Sequence, residues 1–244
     1  MSDTANVPVF SIAGITNVGL CARAMERVIN RNPALPGIAT FTGPSGSGKS
    51  FSASYVANRF RAYYVECKST WTRKAFLLAV LQEMGIDPVG DMTNMMNQIG
   101  EELVLSQRPL IVDEMDYLVG KKAVEVVRDI HMISDAPILL IGEENMLNKL
   151  MKWERFHNRI LEPVLAEKAS LVDVKELAKI YARGINVDVS LLKELQQASA
   201  ANVRRICVNL DRIREYCRSQ GVSAIDKTGF KQPFFTGEPP RRRA

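Results

Sequence analysis

The chain has 244 residues, 46% of them hydrophobic and 24% charged, with 15 Gly and 11 Pro. That suffices for one α/β domain with a smaller second one, and it excludes a fibrous or mainly disordered polypeptide. The net charge is +5, of which Lys231, Arg241, Arg242 and Arg243 against Glu238 supply +3. Bulk charge is therefore a weak argument for a polyanionic partner, and the placement of the basic residues has to carry it.

The longest apolar run, Ala75 to Leu81, is too short to span a bilayer. The opening MSDTANVPVF has no charged segment ahead of an apolar one, so neither export nor a membrane partner is expected. A cytoplasmic location is expected. Cys21, Cys67, Cys207 and Cys217 form no CxxC, and His131 and His157 stand at no metal-ligand spacing from them. All four read as reduced thiols.

In chain order, residues 1–37 read as an N-terminal lead-in with a helical stretch around Gly19–Asn30 and a Pro-bounded break at 32–37. Ile38–Phe41 is a buried strand, followed by a Gly/Ser-rich loop and a helix from Lys49 to Arg59. Tyr63–Val65 is a second strand. Thr70–Met84 reads as a helix capped by Ser69 or Thr70 and stopped by Gly85, and Met92–Ser106 as another. Leu110–Val112 and Ile138–Ile141 are further strands. Their apolar runs are continuous, as parallel strands covered on both faces require. Strands alternating with helices predict an α/β parallel-sheet core over 38–172. Beyond it the pattern is helical only: Asp173 can cap Val174–Arg183, and Val189–Ala198 and Asn202–Ser219 complete a subdomain over 173–221. Residues 222–244, with Pro233, Pro239, Pro240 and three arginines, read as an extended basic tail.

Gly43-Pro44-Ser45-Gly46-Ser47-Gly48-Lys49-Ser50, followed by Phe51, fits G-x-x-x-x-G-K-[ST] between a strand and a helix. Small residues let successive main-chain N–H groups turn onto phosphate oxygens, and the helix start adds its positive end. Lys49 reaches for the β- and γ-phosphates and Ser50 for Mg²⁺. Leu110-Ile111-Val112-Asp113-Glu114 is an apolar strand ending in two carboxylates. Asp113 suits the Mg²⁺ shell, and Glu114 suits a general base that polarises water. No LSGGQ-like or NKxD string accompanies the loop, so ATP hydrolysis is the expected reaction, with ATP and Mg²⁺ as cofactors.

On these motifs the chain resembles the AAA+ ATPases. More narrowly, over roughly 15–216, it resembles the transposition protein B of Mu-like phages and related transposon target-selection ATPases. The resemblance implies a P-loop AAA+ three-layer parallel-sheet core with a small C-terminal helical lid. It implies self-association as a filament or ring on double-stranded DNA, and stimulation of a transposase. Lys49, Ser50, Asp113 and Glu114 match the family directly. A polar sensor is expected after the fourth core strand; Glu143 stands where Thr, Ser or Asn is usual, leaving Asn145. Arg155 and Arg159 are candidates for a finger that enters a neighbouring subunit's site, and Arg204 matches the lid arginine that contacts ATP in cis.

DNA-facing segments in that family follow the second strand and the acid-pair strand, which here selects Lys68, Thr72, Arg73 and Lys74 together with Lys121 and Lys122. Cations mixed with small donors suit backbone contact without base reading. Trp71 between them reads as a partly buried aromatic at a helix start. Arg204, Arg205, Arg212, Arg214 and Arg218, with the arginine tail, form a second basic patch. About forty residues precede the loop, so the extra N-terminal DNA-binding domain of phage Mu's own protein is not expected. Two alternative functions remain open at this point. One is an AAA+ helicase loader in DNA replication. The other is a DNA-independent scaffold or signalling NTPase.

Overall fold

The computed structural model describes residues 14–238; Arg241, Arg242 and Arg243 of the expected tail lie outside them. The elements run α1 (Thr16–Ile29), β1 (Ile38–Thr42), α2 (Lys49–Phe60), β2 (Tyr63–Glu66), α3 (Arg73–Met84), α4 (Met92–Ser106), β3 (Leu110–Asp113), α5 (Asp116–Gly120), α6 (Glu125–Ser134), β4 (Ile138–Gly142), α7 (Met146–Leu150), α8 (Glu154–His157) and β5 (Ile160–Leu165). There follow α9 (Leu171–Tyr181), β6 (Asn186–Val187), α10 (Val189–Ala198), α11 (Val203–Gln220) and β7 (Ala224–Ile225). Among the described residues the chain divides into two compact units, 16–168 and a second made of 169–238 with Gly14 and Ile15.

The first unit is a three-layer α/β structure, as expected. Its five strands are all parallel, in the order β2-β3-β4-β1-β5. The continuous apolar runs explain the burial: every residue of β1, β3 and β4 is buried. Side chains alternate across the sheet. Ile38, Leu110, Val112, Ile138 and Leu140 therefore meet Phe76, Leu81, Ile99, Val127 and Phe156 on one face. Ala39, Phe41, Ile111, Leu139 and Ile141 meet Cys21, Met25, Val28 and Val56, from α1 and α2, on the other. Each such side chain contributes roughly 1.5–3 kcal/mol relative to an exposed one. The lead-in is thus part of the core: α1 begins at Thr16, three residues ahead of the stretch read from sequence, and its Cys21–Met25–Val28 stripe covers the sheet.

Local chemistry sets several boundaries. α3 starts at Arg73 rather than Thr70, because Thr72 is the cap: its Oγ1 accepts from the Ala75 N–H at 3.2 Å. Gly85 ends it in the left-handed conformation (φ 73°), a C-terminal stop that costs glycine little. Asp91 caps α4 through the N–H groups of Thr93 and Asn94.

In the second unit the cap of α9 is Ser170, with Asp173 as its partner three residues on. The two side chains form a reciprocal capping box, which starts the helix earlier than a cap at Asp173 predicts. The stretch after Ser223 differs from the extended tail expected. β7 pairs in parallel with β6. Phe230 stands edge-on to Tyr216, Phe234 lies beside Phe230, and Arg212 lies over the Phe235 ring. Asn209, fully buried, accepts from the Phe235 N–H at 2.7 Å and donates to its carbonyl at 3.0 Å. Three aromatic residues in six gave the segment something to bury, which a reading on Pro and Arg content passes over. Among the described residues no helix is long and apolar enough to cross a membrane.

Candidate functional site

Gly43 to Gly48 connect β1 to α2. Gly46 and Gly48 have φ values of 80° and 89°, a region that favours glycine, and these two positions turn the loop back over the helix start. Gly43 is a glycine for a different reason: a Cβ there would lie 2.7 Å from that of Ala166, which follows β5. Gly48 occupies the capping position of α2, and no side-chain cap hydrogen bond is made there among the described residues, as at a helix start that binds an anion. The Lys49 ammonium folds back on the loop and donates to the carbonyls of Gly43 (2.7 Å) and Pro44 (3.1 Å). Ser47 Oγ is buried and lacks a partner among the described residues. An orphaned hydroxyl, uncapped amides and a lysine on main-chain carbonyls together fit a polyphosphate. Ser50 is exposed at the start of α2, and Phe51 beside it is half-buried.

The acid pair closes the other side. β3 lies next to β4 and β4 next to β1, and all three end on the same edge, at Asp113, Gly142 and Thr42. Asp113 is buried. Its Oδ1 accepts from the Glu114 N–H at 2.8 Å and its Oδ2 from the Tyr64 hydroxyl at 2.9 Å. Glu114 has φ 52°, left-handed backbone that a side-chain-bearing residue adopts at a cost of about 1–2 kcal/mol. Burial, then the neighbouring Asp113 charge, pushes the Glu114 carboxyl above the usual carboxylate range; Lys49 opposes this. Burial draws the Lys49 ammonium below its ordinary value, against the fields of Glu114, Asp113, Asp116 and Glu143. The loop after β1 and the acid pair after β3 leave the sheet on the same edge, two strands apart, so their charges act on each other. Burial, then the Asp113 charge and the hydrogen bond to it, raises the Tyr64 phenol.

Sequence reasoning missed three groups around this edge. Asp116 begins α5; its Oδ2 accepts from the Glu143 N–H at 2.6 Å and its Oδ1 from Lys149 Nζ at 3.0 Å. It pins the turn after β4, and Gly142 is required there because a Cβ would collide with Asp116 Oδ2 and Met146 Sδ. Spacing offers a signal, since Asp116 follows Asp113 by three residues. Tyr64 carries a weaker one in its place on the strand next to β3. Asn17 carries none: its side chain reaches the loop from α1.

The remaining predicted residues fall elsewhere. Asn145 is exposed at the start of α7, with its side-chain Oδ1 accepting from Asn148 Nδ2 at 2.8 Å. Arg155 is exposed on α8. Arg159 is half-buried just before β5, where its carbonyl accepts from the N–H of Ile38, the first residue of β1. That is the edge of the sheet opposite the loop, about 13 Å away along the strand. Arg204 is exposed in the first turn of α11, in the second unit.

The two basic segments, fifty residues apart, are joined. Lys121 Nζ donates to the Trp71 carbonyl at 2.9 Å, and Arg73 donates to the Lys122 carbonyl at 3.1 Å. Lys68, Thr72, Arg73, Lys74, Lys121 and Lys122 are all exposed, whereas Trp71 packs against the core. The Cys67 N–H donates to the Asp113 carbonyl at 2.9 Å, so this cluster begins one residue from the acid strand. Burial, then Asp113, raises the Cys67 thiol to about 12, which leaves it protonated at neutral pH.

Residues 34–151 match the family model described as an AAA domain. No curated protein matches the chain. Among solved structures, the Aeropyrum pernix ORC2 protein in its ADP form superposes with a TM-score of 0.64 at 14% identity, covering 92% of this chain and 68% of that one. The Aeropyrum pernix ORC1 protein in complex with DNA gives 0.62 at 14%, covering 87% and 62%. Domain III of the Thermotoga maritima replication initiation protein DnaA gives 0.58 at 15%, covering 90% and 91%. At these identities the likeness is one of fold, the P-loop AAA+ fold. An AAA domain implies nucleotide binding and hydrolysis in general. The comparisons reach that wider class and do not single out transposition protein B.

Proposed function

We propose that an AAA domain whose acid strand leads directly into a basic surface makes this chain an ATP-dependent DNA-binding ATPase. In this reading it assembles on duplex DNA and directs a transposase. Lys49 and the main-chain N–H groups at the start of α2 hold the phosphates; Ser50 and Asp113 would hold Mg²⁺. The cation would neutralise charge on the β- and γ-phosphates. Glu114 takes the proton from the attacking water. Arg155, on α8, or Arg159, at the far edge of the sheet, serves the site of an adjoining copy. Arg204 serves as the lid arginine that the resemblance implies, and Asn145 acts as γ-phosphate sensor.

The observation that carries this reading is the short link from Asp113 through Cys67 to Lys68, with Lys121 and Lys122 bolted alongside. It gives the nucleotide a route to the surface that meets DNA. The surface offers cations and small donors, with its aromatic residue packed inward, which suits phosphate-backbone binding.

Duplex binding measured with and without ATP, across a salt series, tests this. Tight, nearly sequence-independent binding only with ATP, weakening steeply with salt, is expected. A Lys121→Ala, Lys122→Ala double variant should flatten the salt slope by about two. Equal affinity without nucleotide removes the proposal. A second reading, a helicase loader, is favoured by the fold likeness to replication initiation proteins. It predicts a preference for single strands and no transposase stimulation. ATP-driven assembly indifferent to DNA points instead to a scaffold NTPase.

A further inference from the structure

Asn17 is buried in the first turn of α1. Its side-chain amide makes three main-chain hydrogen bonds. Oδ1 accepts from the Glu167 N–H at 2.8 Å, and Nδ2 donates to the carbonyls of Glu167 and Ser47, each at 2.9 Å. Ser47 is in the phosphate loop. Glu167 is next to Lys168, where the first unit ends, and Asn17 is next to Thr16, where that unit begins. The chain passes between the two units at those two places, and a single side chain ties both to the loop.

We propose that Asn17 is a positioning residue that makes the phosphate loop and the chain at both ends of the first unit, 16–17 and 167–168, one hydrogen-bonded element, so that nucleotide on the loop is felt at those ends. The inference rests on the nucleotide reading of the loop and adds to it a route of transmission. An amide is the group this place requires. It needs one acceptor and two donors on one planar end, which neither a carboxylate nor a hydroxyl supplies. The paired bonds to Glu167 copy a main-chain pairing and fix the connection's direction. The bond to Ser47 fixes the loop at the residue whose own hydroxyl has no partner among the described residues. When phosphate settles on the loop, Ser47 can shift only with Asn17, and Asn17 only with Glu167.

The test uses the full chain, with Asn17→Ala and Asn17→Asp as variants. The aspartate keeps the shape and the Glu167 N–H bond but sets a carboxylate oxygen against two carbonyls. Two quantities are read: amide hydrogen exchange over 166–170, with and without Mg²⁺ and a non-hydrolysable ATP analogue, and the split of KM from kcat. In the unaltered chain the analogue should slow exchange at Glu167 by about tenfold or more, a change of roughly 1.4 kcal/mol in opening. Both variants should lose that dependence and raise KM for ATP by about tenfold, with kcat at saturation within about threefold. The aspartate should be the worse of the two. A merely structural Asn17 lowers melting temperature but leaves the nucleotide dependence of exchange intact, and that result overturns the inference. So does an unaltered chain that binds the analogue without slowing exchange. An unaltered chain that binds no nucleotide sinks the loop reading itself and this inference with it.

Discussion

Tyr64 donates its hydroxyl to Asp113 Oδ2 at 2.9 Å, while the Glu114 N–H occupies Oδ1 at 2.8 Å. Both carboxylate oxygens are therefore oriented by donors from their own sheet. In the proposed site Asp113 holds Mg²⁺, and its rotamer sets where the cation sits. Tyr64→Phe removes one donor and leaves the ring. The expected result is a several-fold higher Mg²⁺ requirement for ATP hydrolysis and a stability loss of about 1 kcal/mol. A Mg²⁺ titration identical to that of the unaltered chain contradicts the assignment.

The electrostatics of the pair give a pH prediction. The Glu114 carboxyl lies above its ordinary range, chiefly through burial and Asp113, and Lys49 lies below its own, chiefly through burial. A base must be ionised, so the acid limb of kcat/KM for ATP should have its midpoint above 4.5, the ordinary value for this carboxyl. Lys49 must be protonated to hold phosphate, so the alkaline limb should fall below 10.5. A profile flat down to pH 4.5 removes Glu114 from the role.

The same shift bears on stability. A folded-state value above the unfolded one means that the fold holds the Glu114 proton more tightly than the unfolded chain does. The ionised form is thus a burden that grows as pH rises through the unfolded value and is complete above the folded one. Glu114→Gln should raise the nucleotide-free melting temperature near pH 8, and the gain should vanish as pH falls through the carboxylate range. The variant should also keep ATP binding with slow turnover. An unchanged or lower melting temperature at pH 8 counts against the raised carboxyl.

Gly142 is held to a glycine by contact. A Cβ there collides with Asp116 Oδ2, which is itself fixed by Glu143 and Lys149. Gly142→Ala should cost about 1–3 kcal/mol, as overpacking does, and slow hydrolysis by displacing the turn after β4. Urea unfolding checks the first and phosphate release the second. Neutral results in both would mean that Asp116 gives way freely.

Why some of this could be read from sequence follows from the range of each interaction. The phosphate loop and the acid strand are local patterns, and their residues need only a strand before and a turn after. The apolar runs of β1, β3 and β4 carry their own burial. Asn17 and Tyr64 act on residues 30 and 49 positions away, and nothing in the stretch around either names its partner. Thr72 shows a different competition: a side chain read as a DNA contact is also the cap of α3, since hydroxyls near helix starts bond backbone first. The 226–235 segment packs instead of extending because Phe230, Phe234 and Phe235 find a helix face far back in the chain, which Pro and Arg content does not announce.

The last prediction concerns Arg155 and Arg159. Arg159 adjoins Ile38 at the start of β1, and Arg155 lies on the short helix before it, while the phosphate loop follows the end of that strand. An extended arginine spans about 7 Å, roughly half of the 13 Å strand rise, so Arg159 does not reach its own chain's loop. In the proposed function one of the two stabilises charge on the transferred phosphate of another copy. Arg155→Ala or Arg159→Ala should then bind ATP normally and lose hydrolysis in the assembly, by a factor on the order of a thousand for a true finger. Lys49→Ala should lose ATP binding but keep its arginines. Mixing the inactive arginine variant with the Lys49→Ala chain places an intact loop beside an intact arginine, and activity should return in proportion to mixed neighbours. A mixture as inactive as its components shows that the arginines act within their own chain or not at all.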